Sequence, residues 1–218
     1  MKLPNLNKEK AILRKGFKIV VGIDEAGRGP LAGPITAAAL AVIGPISNFK
    51  FLISKQQRNL KFLKDSKKLT SKRREEFYGI LTRHPRIRWA AASVGPATID
   101  RINVARAANL AARRAFERLV VKMGNSRSYF KTFVLLDGRL SFKSEFPQET
   151  VIKGDEKIWS IAAASVIAKV ARDRKMRRLA RKFPAYGLEI HKGYGTRMHY
   201  QKLRKHGPSE IHRKTFLK

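Results

Sequence analysis

Apolar residues along this chain follow two periods. Short unbroken runs, Ile19-Val20-Val21 and Thr132-Phe133-Val134-Leu135-Leu136, read as strands buried on both faces. The first strand is expected over Phe17 to Ile23. The second, rich in Ala, Val and Ile, covers Ile35 to Ile43 and is stopped by Gly44-Pro45. Arg88 to Val94, Thr132 to Leu136 and the short stretch Glu149 to Lys153 complete the extended segments. Helical spacing begins after Ser71, in Lys72 to Leu81, and ends before Pro85. Ala97 to Met123 predicts one long alanine-rich helix with arginines outward, closed by Gly124-Asn125. Ile158 to Ala171 predicts a helix packed closely on the sheet, continuing into the basic run Arg172 to Arg178. From Phe183 onward, short helices and loops are expected. Residues 1–16 are a basic lead-in, loose or briefly helical, and residues 17–218 form a single domain without repeat or linker. Strands alternating with a crossing helix imply an α/β layered sheet.

Charge changes this picture more than composition does. At 218 residues and 43% hydrophobic, the chain can bury a sizeable core and is not a disordered sequence. Lys+Arg 48 against Asp+Glu 16 leaves a formal charge of +32. That sign favours a polyanionic partner, nucleic acid first. An anionic membrane is the alternative, but no amphipathic anchor stands out. An unusual intracellular salt or a generally basic proteome would account for the size of the excess, not its sign. There is no Cys, which excludes disulfides and thiolate metal sites and fits a reducing cytoplasm. The N-terminus has no continuous apolar signal region, and no apolar run approaches a membrane span. A soluble cytoplasmic protein is expected.

Chemistry concentrates in VVGIDEAGRGPLAGP, from Val20 to Pro34. Adjacent carboxylates, Asp24 and Glu25, end an apolar strand. Neighbouring strand side chains point to opposite faces, so one site holds both only if the chain bends there. Paired carboxylates repel, and a divalent cation such as magnesium removes the conflict. Gly27-Arg28-Gly29 adds bare backbone around a guanidinium, which are parts that bind anions. The spacing is neither G-x-G-x-x-G nor a P-loop, and acids before the glycines would repel a pyrophosphate. A plain glycine-rich hairpin with a solvated acid pair is the simpler reading. Two further strand ends carry acids, Asp137 before Gly138 and Asp155 after Gly154. Alone, each would be a turn former; together they suggest hard oxygen ligands for Mg2+ or Mn2+, not zinc. Asp173, between Arg172 and Arg174, competes as a fourth ligand, though a salt-bridged structural acid explains it well. The five histidines have no metal-ligand spacing and read as surface or packing residues.

These residues resemble the type 2 ribonucleases H (ribonuclease HII). Besides GIDEAGRGPLAGP, the matching motifs follow in order: Lys64 to Leu69, Leu136-Asp137-Gly138, Val151 to Asp155, Ala163 to Val170, and His191-Lys192-Gly193-Tyr194. The likeness spans about Ile19 to Phe216. It implies the ribonuclease H fold, a five-stranded mixed sheet with helices on both faces. It also implies a two-metal endonuclease acting on RNA–DNA hybrids and on ribonucleotides embedded in duplex DNA, a monomer leaving 3′-hydroxyl and 5′-phosphate ends. Asp24, Glu25, Asp137 and Asp155 would hold Mg2+ or Mn2+, Asp155 being preferred to Asp173 because the family's Lys-Gly-Asp motif carries the fourth acid. Gly27, Arg28, Gly29 and Tyr194 would read the ribose–deoxyribose junction, with packing of the tail as the alternative for Tyr194. Lys67, Lys68, Lys153 and Lys169 would contact phosphates. The related type 3 enzymes differ after the acidic pair. A non-enzymatic basic nucleic-acid-binding protein is the remaining alternative.

Overall fold

The computed structural model describes residues 3–43, 69–124 and 131–217. Lys67, Lys68 and the lysine-rich stretch from 48 to 64 lie outside the described residues. The elements are α1 (Asn7–Arg14), β1 (Ile19–Ala26), β2 (Ile35–Val42), α2 (Ser71–Arg83), β3 (Ile87–Val94), α3 (Pro96–Ile102), α4 (Val104–Met123), β4 (Thr132–Asp137), β5 (Gln148–Val151), α5 (Gly154–Lys157), α6 (Trp159–Lys182), α7 (Leu188–His191) and α8 (Arg197–His206). Single 3-10 turns occupy Pro184–Tyr186 and Lys214–Phe216.

The five strands form one mixed sheet in the order β3-β2-β1-β4-β5. β1 pairs antiparallel with β2 and parallel with β4, which is parallel to β5. Central position explains why Val21 and Ile23 are wholly buried. On one face Val21, Ile23, Ala37 and Ala39 pack with Ala108, Ala111, Ala112 and Leu119 of α4. On the other, Ala38 and Leu40 pack with Ala163, Val166, Ile167 and Val170 of α6 and with Phe77 and Leu81 of α2. Small residues let the layers approach. A Cβ added to Gly22 of β1 would lie 2.3 Å from the Ser160 carbonyl carbon, so α6 begins almost against β1.

Several elements depart from the sequence reading. Ala97 to Met123 is two helices, not one. Asn103 breaks them with φ +66°, and its Oδ1 accepts hydrogen bonds from the Ala105 and Arg106 amides, capping α4. The lead-in is the helical alternative rather than the loose one. α1 buries Ile12 and Glu9, and Glu9 Oε1 accepts from the Ser160 amide at 2.9 Å, capping α6 from outside the helix. Asn5 pairs with the chain around Ile158 in a short parallel bridge. The helix α2 takes in Ser71 as its first residue, and Thr70 caps it by accepting from the Arg73 amide. Among the described residues no helix is long and apolar enough to cross a membrane.

Candidate active site

β1 does not end before its acids. It continues through Asp24 and Glu25 to Ala26, paired with Ala38, Ala37 and Thr36 of β2. The expected bend at the acidic pair is therefore absent, because the β2 ladder keeps the strand regular. Irregular backbone starts only at Gly27, with φ +99°. By strand alternation Glu25 shares the face of Ile23, and Asp24 lies on the α6 side.

Asp137 reaches Asp24 because β4 lies beside β1 in parallel, with Leu136 opposite Ile23. Asp155 does not sit at a strand end as expected. β5 stops at Val151, Lys153 turns the chain with φ +54°, and Asp155 lies in the first turn of α5. Its amide and that of Gly154 both point at Asp137 Oδ1, at 3.3 and 2.6 Å. A Cβ on Gly154 would crowd Ile161 Cδ1 at 2.6 Å and Asp137 Oδ1 at 3.2 Å, so a larger residue would require Ile161 to shift. Carboxylate oxygens of Asp24, Asp137 and Asp155 come within 4.8 Å of one another. Glu25 is not part of that group; its Oε1 meets Arg28 Nη1 at 3.3 Å.

The electrostatics of this group call for a cation. Asp24 is only 4% exposed. Burial, then the carboxylates of Glu25, Asp137 and Asp155, push its carboxyl well above the usual aspartate range, against only the Glu25 amide hydrogen bond. Three hard oxygen donors that close together, one desolvated, suit a divalent ion such as magnesium or manganese.

Asp173 stands apart from this group. It pairs with Lys169 at 2.8 Å, one helical turn back, rather than with Arg172 or Arg174. Arg174 instead meets Glu75 at 2.7 Å. Lys169 thus contacts an acid, and it also lies 5.5 Å from the centre of the Tyr194 ring. Tyr194 is 41% exposed, with Arg172 over its ring at 5.6 Å. Its carbonyl is held by His199 Nδ1 at 2.9 Å and the Thr196 amide at 2.8 Å, and its ring is left at the surface. Lys153 is exposed beside Asp155, and Gly29 is exposed at the tip of the loop after β1.

Two residues that the sequence reading left among the solvated basic positions are fully buried, Arg172 and Arg213. Arg172 donates to the carbonyls of Pro34, Ala32 and Lys192, at 2.9, 3.2 and 3.1 Å. Arg213 donates to those of Gly33, Arg28 and Gly27, at 3.0, 2.7 and 2.6 Å. The available signal was spacing: Ser165, Ala168, Arg172 and Met176 recur at three- and four-residue steps along the buried stripe of α6. Three of the histidines are likewise internal. His191 stacks on His199 with ring centres 4.3 Å apart, and His199 Nε2 lies 3.1 Å from His212 Nε2.

Comparison with known proteins shows the family. The family profile described as Ribonuclease HII matches residues 21–218. The ribonuclease HII of Caldicellulosiruptor bescii is 40% identical over 210 residues, covering 96% of this chain and 92% of that protein. Among solved structures, ribonuclease H2 of Pyrococcus horikoshii OT3 aligns with a TM-score of 0.63 and 26% identity, over 90% of this chain and 93% of its own. Bst-RNase HIII, solved in complex with Mn2+, aligns with a TM-score of 0.69 over 94% of this chain and 69% of its own. At 19% identity that likeness concerns the fold alone. Profile, relatives and fold agree, and the chain belongs to the ribonuclease HII family of endoribonucleases.

Proposed function

We propose that this chain cleaves at single ribonucleotides embedded in duplex DNA as well as along the RNA strand of RNA–DNA hybrids. The products would be 3′-hydroxyl and 5′-phosphate ends. The observation that carries the reading is the Asp24, Asp137 and Asp155 group, with mutual oxygen distances within 4.8 Å, at the end of β1 where the glycine loop begins. Two bound divalent cations, Mg2+ or Mn2+, would supply an activated water and a stabilised leaving oxygen there. Bst-RNase HIII, similar in fold, was solved in complex with Mn2+.

The residues of this chain do the rest. Asp24, Asp137 and Asp155 hold the positive charge in place. Asp137 is oriented for that task by the Gly154 and Asp155 amides. Glu25 adds negative charge behind Asp24 while Arg28 balances its outer side. The amides around Gly27, Arg28 and Gly29 approach a ribose 2′-hydroxyl, and the exposed Tyr194 ring lies against the neighbouring deoxyribose. Lys153 and Lys169, with Lys67 and Lys68, would attract the phosphates. The protein would act as a cytoplasmic monomer.

The deciding experiment is cleavage of an end-labelled DNA duplex containing one ribonucleotide, with and without Mg2+, and identification of both new ends. Asp137→Asn and Asp155→Asn should each lower turnover by more than ~100-fold, beyond the usual effect of an outer-shell partner. Duplex binding should be retained in both. Asp173→Asn, which loses the Lys169 pair and the field on Arg172 and Lys192 but no member of the three-carboxylate group, should stay within about 10-fold. Near-normal turnover of Asp137→Asn, or a larger loss at Asp173 than at Asp155 in equally folded variants, would refute the assignment.

A further inference from the structure

The loop from Gly27 to Pro34 is held from beneath by two buried guanidinium groups whose six acceptors are all backbone carbonyls. Among the described residues neither Arg172 nor Arg213 has a carboxylate within ion-pair distance. Burying two like charges this way is costly, and apolar side chains of similar volume would usually stabilise a core at least as well. What the two arginines add is geometry. A guanidinium is a planar fork that fixes several acceptors at once, where a lysine is a point charge.

The effect on the loop is directional. Five of its carbonyls, from Gly27, Arg28, Ala32, Gly33 and Pro34, turn inward to the two forks. The amides of Leu31 and Ala32 are taken by the Gly193 carbonyl, and that of Gly33 by Ile211. Pro30 has no amide hydrogen. Among the described residues the amides of Arg28 and Gly29 have no hydrogen-bond partner. Gly27 is glycine because Arg172 needs its place: an added Cβ would fall 2.1 Å from Arg172 Nε. Arg172 also holds the Lys192 carbonyl and lies over the Tyr194 ring, so one side chain ties the glycine loop to Tyr194. Arg213 is fixed in turn by the 3-10 turn after it, whose Lys214 and Thr215 amides donate to Asp100 of α3.

We propose that Arg172 and Arg213 are positioning residues that draw the loop's carbonyls inward and thereby fix the Arg28 and Gly29 amides, and the distance to Tyr194, for recognition of a single ribose. The proposal rests on the ribonucleotide reading given above. It assigns to these arginines no contact with substrate or metal. Their action is through the backbone.

Arg172→Lys and Arg213→Lys in the full chain test it by three measurements. These are kcat/KM on the one-ribonucleotide duplex, inhibition by an all-DNA duplex, and titration of the carboxylate group with Mn2+. Misplacement of the loop should lower kcat/KM by about 100-fold. Inhibition by DNA and Mn2+ affinity should change less than about 3-fold, a split that a role in stability alone would not produce. A variant that melts above the assay temperature and keeps kcat/KM within 3-fold of the parent overturns the proposal. Amide exchange in the unaltered protein gives an independent check, with Ca2+ replacing Mg2+. The Arg28 and Gly29 amides should become protected by the one-ribonucleotide duplex and not by the all-DNA duplex. If neither amide responds, the proposal also falls. Failure of the unaltered protein to cleave the one-ribonucleotide duplex would instead remove the underlying reading.

Discussion

Asp24 shows how a single residue can be placed for chemistry against its own solvation. Its carboxyl is buried, and three other acids surround it, so the folded chain retains a proton that an unfolded aspartate would release. In that window the native state binds more protons than the unfolded state, so stability falls as pH rises. With chelator present, stability should therefore decline upward from the ordinary aspartate range near 3.8. Mg2+ or Mn2+ should reverse the decline by binding only the folded state. Asp24→Asn should lessen the decline, to which the buried Glu9 also contributes, should abolish the metal effect, and should raise the melting temperature of the chelated protein at neutral pH. Each kcal/mol of relieved repulsion would appear as roughly 2–4 °C for a chain of this size. A chelated variant that melts at or below the parent at neutral pH would contradict this account.

Among the elements, α6 organises the molecule. Its N-terminal half packs on the sheet behind Asp24, Arg172 turns under the glycine loop, and Met176 and Ala180 reach the C-terminal segments. Those segments are held by histidines whose hydrogen bonds determine their protonation. The Ser209 amide donates to His212 Nδ1, so His212 Nε2–H donates to His199 Nε2, and His199 Nδ1–H donates to the Tyr194 carbonyl. Gly193 likewise donates to His191 Nδ1, leaving Nε2–H to donate to the Tyr186 carbonyl. His199 and His212 are neutral in this network. Burial, then the neighbouring His199, pushes His212 down to about 4. The unfolded chain takes up a proton near 6.5 that folded His212 refuses, so stability is lost as pH falls from about 6.5 toward 4. That displacement corresponds to up to roughly 3 kcal/mol. Melting temperatures between those limits should fall in the parent and fall less in His212→Asn. Parallel curves for the two proteins would exclude His212 as the source of acid sensitivity.

At the scale of the whole molecule, a formal charge of +32 dominates. Some of it lies inside, at Arg172 and Arg213, and some is matched locally, as where Glu75 joins Arg174 and Arg177. The remainder gives long-range attraction to a polyanion. Duplex binding should weaken with a log-log slope against salt of roughly −0.9 for each phosphate neutralised. An all-DNA duplex and one with a single ribonucleotide should share that slope, because one 2′-hydroxyl adds no charge. A binding constant that hardly moves between low and physiological salt would show that this charge serves something else.

Much of this was legible in the linear chain. Apolar runs marked β1 and β4, and alanine-rich helical spacing marked the layers on either face, because burial imposes its period directly on residue type. The ordered motifs identified the acids and the glycine loop. Local patterning could not decide how strand pairing carries β1 straight through Asp24 and Glu25, or that Glu25 turns toward Arg28 rather than into the three-carboxylate group. Nor could it separate Arg172 and Arg213 from the other basic residues, since an arginine held by backbone carbonyls has the same letter as one in water. The break at Asn103 was hidden for a similar reason: a capping asparagine inside an alanine-rich run leaves the apolar period on both sides intact. Residue type records how much of a side chain is buried; which acceptors meet it is set by segments as distant as Gly27 and Arg213, and only the folded chain brings those together.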